Sequence, residues 1–413
     1  VTDVVLNPRD AADVEMAVRQ AIGAGQPLDI VGHGSKRAIG HRPMTNAVLD
    51  LSKLSAVTAY EPNELILTVQ AGAPLQEVQA LIAGSGQEFA FEPMDTSALL
   101  GTPRGRGTIG GMIGAGLAGP RRMKAGGVRD HLLGLAAVSG FGESFKAGGR
   151  VVKNVTGYDL CKLVTGSWGT LSVLTEVTLK VMPKAESECT LLLRGLDELA
   201  ANRAMGLALG SPYEVSGAAH VPPSSLRGQC AWDDLAAGNS LTMIRLEGIS
   251  VSVADRAKSL TGELSAVAEV ARVEEDVSRR FWAEMRDVAA FAMDGPLGAW
   301  PVWRIVCPPA AGGSLGQVLA RETGGEVIYD WGGGLLWAAL PPTQDAHARL
   351  VRQHVNAAGG HATLLRAPEA VRSGTDVFHP LDAGLAALSA RVKASFDPSD
   401  ILNRGRLQRM AGS

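Results

Sequence analysis

Three glycine-bearing stretches of this chain carry residue types and spacings suited to gripping a charged, flat ligand with bare main chain. The first is V-G-H-G-S-K, Val31 to Lys36, directly after a short apolar run. Small residues there let consecutive backbone N–H groups converge in a nest that accepts an anion such as a pyrophosphate. The spacing is not that of a G-x-x-x-x-G-K-[ST] phosphate loop. Gly32 and Gly34 also lack the third glycine of the dinucleotide fingerprint G-x-G-x-x-G. The second stretch runs from Gly107 to Leu135. Its Thr108, Gly110, Gly111 and Gly114 suit a loop wrapped around a long ligand, and Arg121, Arg122 and Arg129 just downstream suit phosphate charge. The third, Lys153 to Leu179, reads as a glycine–tyrosine turn, a helix, a second glycine turn at Gly166 to Gly169 and a buried strand. Taken singly, each is more often an ordinary turn or a solvated loop with surface arginines.

Side chains for acid–base or nucleophilic work are scattered. His220, His361 and His379 stand alone in sequence, and a lone histidine is more often structural than catalytic. Arg286 and Arg304 sit among aromatics (FWAEMR and WPVWR). Paired N–H bonds would hold a carboxylate there, with stacking on tryptophan as the competing use. No G-x-S-x-G nucleophile elbow and no Ser–His–Asp set with supporting context is present. Cys161, Cys189, Cys230 and Cys307 form no C-x-x-C pair, which excludes an iron–sulfur ligand run within this sequence and does not resemble a secreted disulfide framework.

The elements that must position these groups follow from periodicity. The 46% hydrophobic and 20% charged composition is that of a globular protein, and a net charge of −3 gives no reason to expect nucleic acid or an anionic membrane as partner. No run of 18 apolar residues and no leader-like N-terminal pattern occurs, so a cytoplasmic protein is expected, with any membrane association arising through a complex. Val14, Ala17, Val18, Ala21 and Ile22 share a helical face that ends at Gly23 and Gly25. Strands are expected at Leu28–Val31, Val48–Leu51 and Ile66–Ala71, then a helix from Pro74 to Ala83. Eighteen glycines between Gly101 and Gly169 exclude continuous helix or strand there. After LSVLTEVTLKVMP, a strand stopped at Pro183, the strand-like runs CTLLLRG, LTMIRLEG, WPVWRIVCP, GLLWAALP and HATLLRAP alternate with helical ones. That pattern predicts an α+β second domain of the split β-α-β kind, an antiparallel sheet covered by helices. A last helix near Pro380 to Ser395 leads into the tail FDPSDILNRGRL.

The three glycine stretches together, in this order, resemble the PCMH-type (vanillyl-alcohol-oxidase-like) FAD-binding domain. GLAGPRRMKAGGVRDHLLG followed by KNVTGYDLCKLVTGSWGTLSVLTEV is similar to the E-type FAD-binding subunits of bacterial glycolate oxidases, and the tail resembles that family's closing F-D-P-x-x-I-x-N-P-G-R. The resemblance implies domains at 1–183 (FAD-binding), 184–375 (an α+β cap on the substrate side) and 376–413 (a C-terminal helix and tail returning to the FAD domain). It implies that Gly32, His33, Gly34 and Ser35 form the pyrophosphate loop. It places Thr108, Ile109, Gly110, Gly111 and Gly114 along the diphosphate and ribityl chain, the backbone of Val173 at the adenosine half, and Asn403 near the flavin ring. His33 lies between two glycines rather than after a glycine pair, so non-covalent FAD is expected. Tyr158 is read as a packing or flavin-pocket residue, and His361 and Arg304 are kept as candidates on the catalytic side.

The resemblance further implies a complex oxidising glycolate to glyoxylate, with a second FAD-containing catalytic subunit and an iron–sulfur subunit as partners. One departure bears on that division of labour. Catalytic 2-hydroxy-acid dehydrogenases of the family carry G-H-x-G-D-G-N-x-H, whose histidines help bind a metal or substrate. Here the matching segment is Tyr329 to Trp337, with Asp330 and Trp337 in the histidine positions. An indole offers no lone pair to a metal, so no metal site is expected here and substrate oxidation falls mainly to the sister flavoprotein. A stand-alone FAD-dependent hydroxy-acid or alcohol oxidase, and a non-catalytic structural subunit, are the competing readings.

Overall fold

The computed structural model of the protein describes residues 4–45, 47–149, 158–225, 230, 232–236 and 238–408. Most of the expected glycine–tyrosine turn, from Lys153 to Gly157, lies outside them.

The first half builds two sheets. The helix Ala11–Ala24 starts where the Asp10 carboxylate accepts the Asp13 N–H at 2.8 Å, and it runs through Gly23 to stop at Gly25, which takes φ 62°. Its Val14, Ala17, Val18 and Ala21 bury against a parallel three-stranded sheet ordered Val4–Leu6, Ala47–Asp50, Leu28–Val31. A five-stranded antiparallel sheet follows in the order Val57–Glu61, Ile66–Gln70, Ser172–Lys180, Leu132–Ser139, Ser144–Gly148. One correction concerns the second glycine stretch. It is not a wrapping loop but a short helix, Ile109–Ala115, capped by the Thr108 hydroxyl, which accepts the Gly111 N–H at 3.2 Å. The helix tolerates three glycines because Ile109, Met112 and Ile113 anchor its other face in the core.

The second half is one eight-stranded, wholly antiparallel sheet. Its order is Val270–Val273, Ser187–Arg194, Leu241–Gly248, Gly217–Val221, Glu326–Asp330, Leu335–Ala339, Val302–Val306, His361–Arg366. The sheet is two β-α-β-β-α-β units in tandem, each with its strands in the order fourth, first, third, second, and their second strands meet at the His220–Tyr329 pair. The strands Gly217–Val221, Val270–Val273 and Glu326–Asp330 and the helix Gly312–Thr323 escape the sequence reading. The first is small and central, buried on both faces, so its alternation is lost. The helices Glu198–Gly210, Ser250–Leu264, Gly312–Thr323 and Ala348–Ala357 cover one face of the sheet, and the other face packs on the helix Glu275–Arg286 and on the glycine-rich half through Ile39, Met94, Ala115 and Leu117.

An ion cluster joins the halves. Arg245, 1% exposed in the big sheet, grips the Glu92 carboxylate of the first half through two N–H bonds of 2.8 and 3.0 Å. Arg121 pairs with Glu88 at 2.7 Å and with Glu247 at 2.8 Å, so it is a structural tie rather than a phosphate ligand. Burial opposes ionisation of Glu92, but Arg245 and Arg121 overcome it and hold its carboxyl at about 2. The C-terminal segment closes the molecule. After the helix Ala383–Phe396, Leu402 bridges to Leu28 beside the parallel sheet, and Lys393 Nζ donates to Thr170 O at 2.8 Å.

Candidate functional site

A cleft of about 810 Å3, its solvent-facing mouth included, opens between the end of strand Leu28–Val31, the helix Ile109–Ala115 and the turn Ser167–Gly169. Nine of the eleven expected cofactor residues line it: Gly32, His33, Gly34 and Ser35, then Thr108, Gly110, Gly111 and Gly114, and Asn403 from the tail. Two do not. Ile109 is fully buried in the core beneath the five-stranded sheet, and Val173 in the core beneath the parallel sheet. Strand alternation explains Val173, since its neighbours Ser172 and Leu174 face the cleft instead.

The two glycine segments contribute differently. Along Gly32 to Lys36 no amide donates a hydrogen bond to a described residue, and Gly34 takes φ 73°, so the loop is a nest of available donors. The loop is held from outside, where Arg106 Nε donates to His33 O at 2.9 Å and Arg406 Nη2 donates to Lys36 O at 2.8 Å. In the second segment the amides are already used. Ile109 N–H goes to Ala73 O, Gly110 N–H to Ala71 O, and Gly111 N–H to the Thr108 hydroxyl. What this segment offers is closeness. A Cβ on Gly32 would stand 2.6 Å from Thr108 Oγ1, and one on Gly110 would stand 2.9 Å from Ala71, whereas Gly114 faces open space with its nearest neighbour 4.0 Å away.

Several cleft residues were not anticipated. Ser172 Oγ is buried with no hydrogen-bond partner and faces the cleft. Lys36 reaches only Ser35 Oγ, at 3.4 Å, and burial lowers its pKa against the pull of Asp95. Arg406, 5% exposed, lies 5.6 Å from the Trp168 ring, and burial holds its pKa down at about 10. Lys36 sits in the very loop the sequence marks. Arg406 closes the tail motif, but nothing in that motif shows its burial, which depends on the tail docking. An open nest, an orphaned hydroxyl and a bare glycine face fit a long ligand carrying a diphosphate, and FAD is such a ligand.

Asn403 acts as a clamp. Its Oδ1 accepts the Ile30 N–H and its Nδ2 donates to Trp168 O, both at 2.7 Å, which ties the first strand to the Ser167–Gly169 turn across the cleft. Asn403→Ala leaves a buried N–H and a buried carbonyl without these partners. The expected loss is about 2–4 kcal/mol in urea unfolding together with weaker flavin retention; an unchanged midpoint removes the clamp role.

The remaining candidates lie elsewhere. Arg129 is exposed beside Asp130, Arg122 lies over the Trp331 ring, and neither lines the cleft. Arg286 pairs with Asp287 at 2.6 Å instead of stacking on tryptophan, while Arg304 does stack, 5.2 Å from Trp331 and 6.0 Å from Trp337. Tyr158 is 92% exposed, which corrects its reading as a packing or flavin-pocket residue: the chain turns it outward before the helix Leu160–Val164. His220 is structural, with Nδ1 2.9 Å from Thr242 Oγ1 and its pKa lowered by burial to about 4. His379 Nδ1 accepts the Ala362 N–H, and His361 is exposed at a strand start. Asp330 accepts the Trp331 N–H at 2.7 Å, and burial pushes its carboxyl up to about 7. Among the described residues no group of three or more His, Cys, Asp or Glu side chains is placed to hold a metal, and no helix is long and apolar enough to cross a membrane.

Residues 2–148 match the FAD binding domain family, which spans the open nest and the glycine helix. Over 392 residues the chain is 34% identical to glycolate oxidase subunit GlcE of Escherichia coli K12, covering 94% of this chain and 95% of that one. The chain belongs to the GlcE family of FAD-linked oxidoreductase subunits. Glycolate oxidase subunit GlcD of Bacillus subtilis is 31% identical over 191 residues, 46% of this chain and 39% of that protein. Among solved structures, 4-ethylphenol oxidase from Gulosibacter chungangensis superposes with a TM-score of 0.72 at 15% identity, covering 99% of this chain and 89% of that one. Alkyldihydroxyacetonephosphate synthase gives 0.70 at 16%, covering 97% and 75%. At such identities the structural likeness speaks for the fold alone. This GlcE-family chain therefore combines a vanillyl-alcohol-oxidase-like FAD-binding domain with a large antiparallel sheet domain.

Proposed function

We propose that this chain is the FAD-binding subunit of a multi-subunit glycolate oxidase, converting glycolate to glyoxylate and passing electrons on through partner subunits. The observation that carries this reading is the cleft itself. Five successive amides from Gly32 to Lys36 stand free opposite a glycine-bared helix face, in a chain alignable nearly end to end with a glycolate oxidase subunit.

The nest amides would hold the diphosphate by main-chain hydrogen bonds, with the Arg406 and Lys36 charges alongside. Gly110, Gly111 and Gly114 would let the rest of FAD lie against backbone, and Asn403 would keep the two cleft walls at fixed separation. FAD supplies the two-electron redox chemistry when bound, and the protein orients and encloses it. The four cysteines are buried and separate, so onward electron transfer is assigned to an iron–sulfur partner and metal-assisted oxidation to a sister flavoprotein. A soluble cytoplasmic complex, touching a membrane only through its other members, accords with this arrangement.

His33 lies in the nest between glycines, and we assign FAD as non-covalent. Acid precipitation of the yellow protein is expected to leave all the flavin in the supernatant; flavin in the pellet reverses that assignment. Purification of the native complex is expected to yield one FAD on this chain and iron only on another. A colourless chain, or a single chain that alone oxidises glycolate at the rate of the complex, overturns the subunit reading.

A further inference from the structure

Away from the flavin cleft, the face of the eight-stranded sheet turned toward the FAD domain carries a group of hydrogen-bond donors that form no ion pair among the described residues, with Asp130 bearing on Arg122 only at longer range. Strand register places Trp337, Arg304 and Thr363 side by side across three neighbouring strands. His361 stands on the same face two residues along, opposite Val306. Arg122 reaches in from the FAD domain, its guanidinium 4.5 Å from the ring centre of Trp331, and Arg304 lies 5.2 Å from that same ring. The Trp331 indole is pinned in place by its own N–H bond to Gly119 O at 2.9 Å.

The two guanidiniums are unlike the other arginines near this sheet. Arg245 and Arg121 are paired with glutamates. Arg366 spends its N–H groups on the carbonyls of Trp300, Leu99, Leu297 and Phe291. Arg304 and Arg122 have neither an ion pair nor a hydrogen bond from their side chains among the described residues, and the Thr363 hydroxyl has none either. Both are half-buried, so each guanidinium is partly held from water without an acceptor among the described residues, which is costly, and two cations beside one ring repel. Burial first, then Arg122, lowers the Arg304 pKa to about 10. The acid that bears on Arg304, Asp330, is 1% exposed and held toward its neutral form by burial. An incoming anion relieves all of these strains at once.

We propose that Arg304 and Arg122, with Thr363 and His361 beside them, form a metal-free binding site for a small carboxylate: the carboxyl end of a 2-hydroxy acid or of the 2-oxo acid it becomes. A planar two-oxygen anion matches the guanidinium fork, and the tryptophan walls suit a flat, small ligand. The identity of the acid rests on the function proposed above, whereas the anion site rests on the cluster itself. In the segment where related dehydrogenases carry metal-binding histidines, this chain places indoles and guanidinium charge.

The test is equilibrium dialysis of radiolabelled oxalate against the full chain loaded with FAD, with competition by glycolate, neutral glycolamide and inorganic phosphate. Oxalate is expected to bind, glycolate to displace it, and glycolamide to fail. Arg304→Met is expected to weaken binding about tenfold or more and Arg122→Met severalfold, the scale of losing one charge-assisted contact, with flavin content unchanged. Arg304→Lys should fall between, since it keeps charge without the fork. Arg122→Met, on the rim, decides the matter if Arg304→Met does not fold. Parent-like binding in both methionine variants overturns the site, and phosphate competing better than glycolate overturns the carboxylate class. A yellow chain that ignores oxalate sinks this site and leaves the flavin reading standing; a colourless chain that still binds oxalate does the reverse.

Discussion

Gly114→Leu is expected to give a folded chain that purifies without flavin. Gly114 sits within the helix Ile109–Ala115, where glycine is roughly 0.8–1 kcal/mol less favourable than alanine and leucine ranks next to alanine. The space beyond its missing Cβ is open, with the Gly169 nitrogen 4.0 Å away as nearest neighbour, so the added side chain enters the cleft rather than the core. Circular dichroism and the urea midpoint should match the parent or exceed it, while the ratio of flavin to protein absorbance falls toward zero. Gly114→Ala should show the same sign with a smaller loss. Gly32 makes a poorer probe, because a Cβ there would stand 2.6 Å from Thr108 Oγ1 and disturb the protein itself. A yellow, fully loaded Gly114→Leu chain would falsify the placement of FAD in this cleft.

Arg245→Met is expected to be the most destabilising single change, by about 3–5 kcal/mol, because it takes the bidentate partner from the Glu92 carboxylate at the seam between the halves and leaves it to Arg121 alone. The acid response gives a second readout. The Glu92 pKa is held at about 2, below its ordinary 4.5, so its ion pairs stabilise the fold fully above about pH 4.5. That contribution drains away as pH falls from 4.5 toward 2. Urea unfolding of the parent should therefore weaken over this window more steeply than that of Arg245→Met, whose Glu92 has lost its bidentate partner. Equal slopes would mean that the cluster only decorates the seam.

Local elements were largely legible. The helix Ala11–Ala24, the strand Leu28–Val31, the helix Leu75–Ala83 and five strands of the second sheet fall where periodicity and breakers place them. Two of the misses share a cause. Gly217–Val221 and Glu326–Asp330 are buried on both faces at the centre of the sheet, so neither alternation nor a polar edge marks them. The side chains of Ile109 and Val173 point into the core although their sequence neighbours line the cleft, because a helix turns about 100° per residue and a strand alternates its two faces; the expectation for Val173 concerned its backbone. Arg121 and Arg122 look alike as a surface pair, and only their surroundings separate an ion-pair tie from an unpaired cation over an indole.

By itself the order of residues determined the cofactor class, the glycine segments that approach it and the loss of the metal-binding histidines, because main-chain geometry and ligand chemistry are written in residue type. Tertiary structure alone decided that the second glycine segment serves by closeness, its amides being already bonded, and that Asn403 is a clamp and Arg304 an unpaired charge. Those properties depend on which groups lie nearby after chain segments hundreds of residues apart have met, and no local pattern encodes that distance.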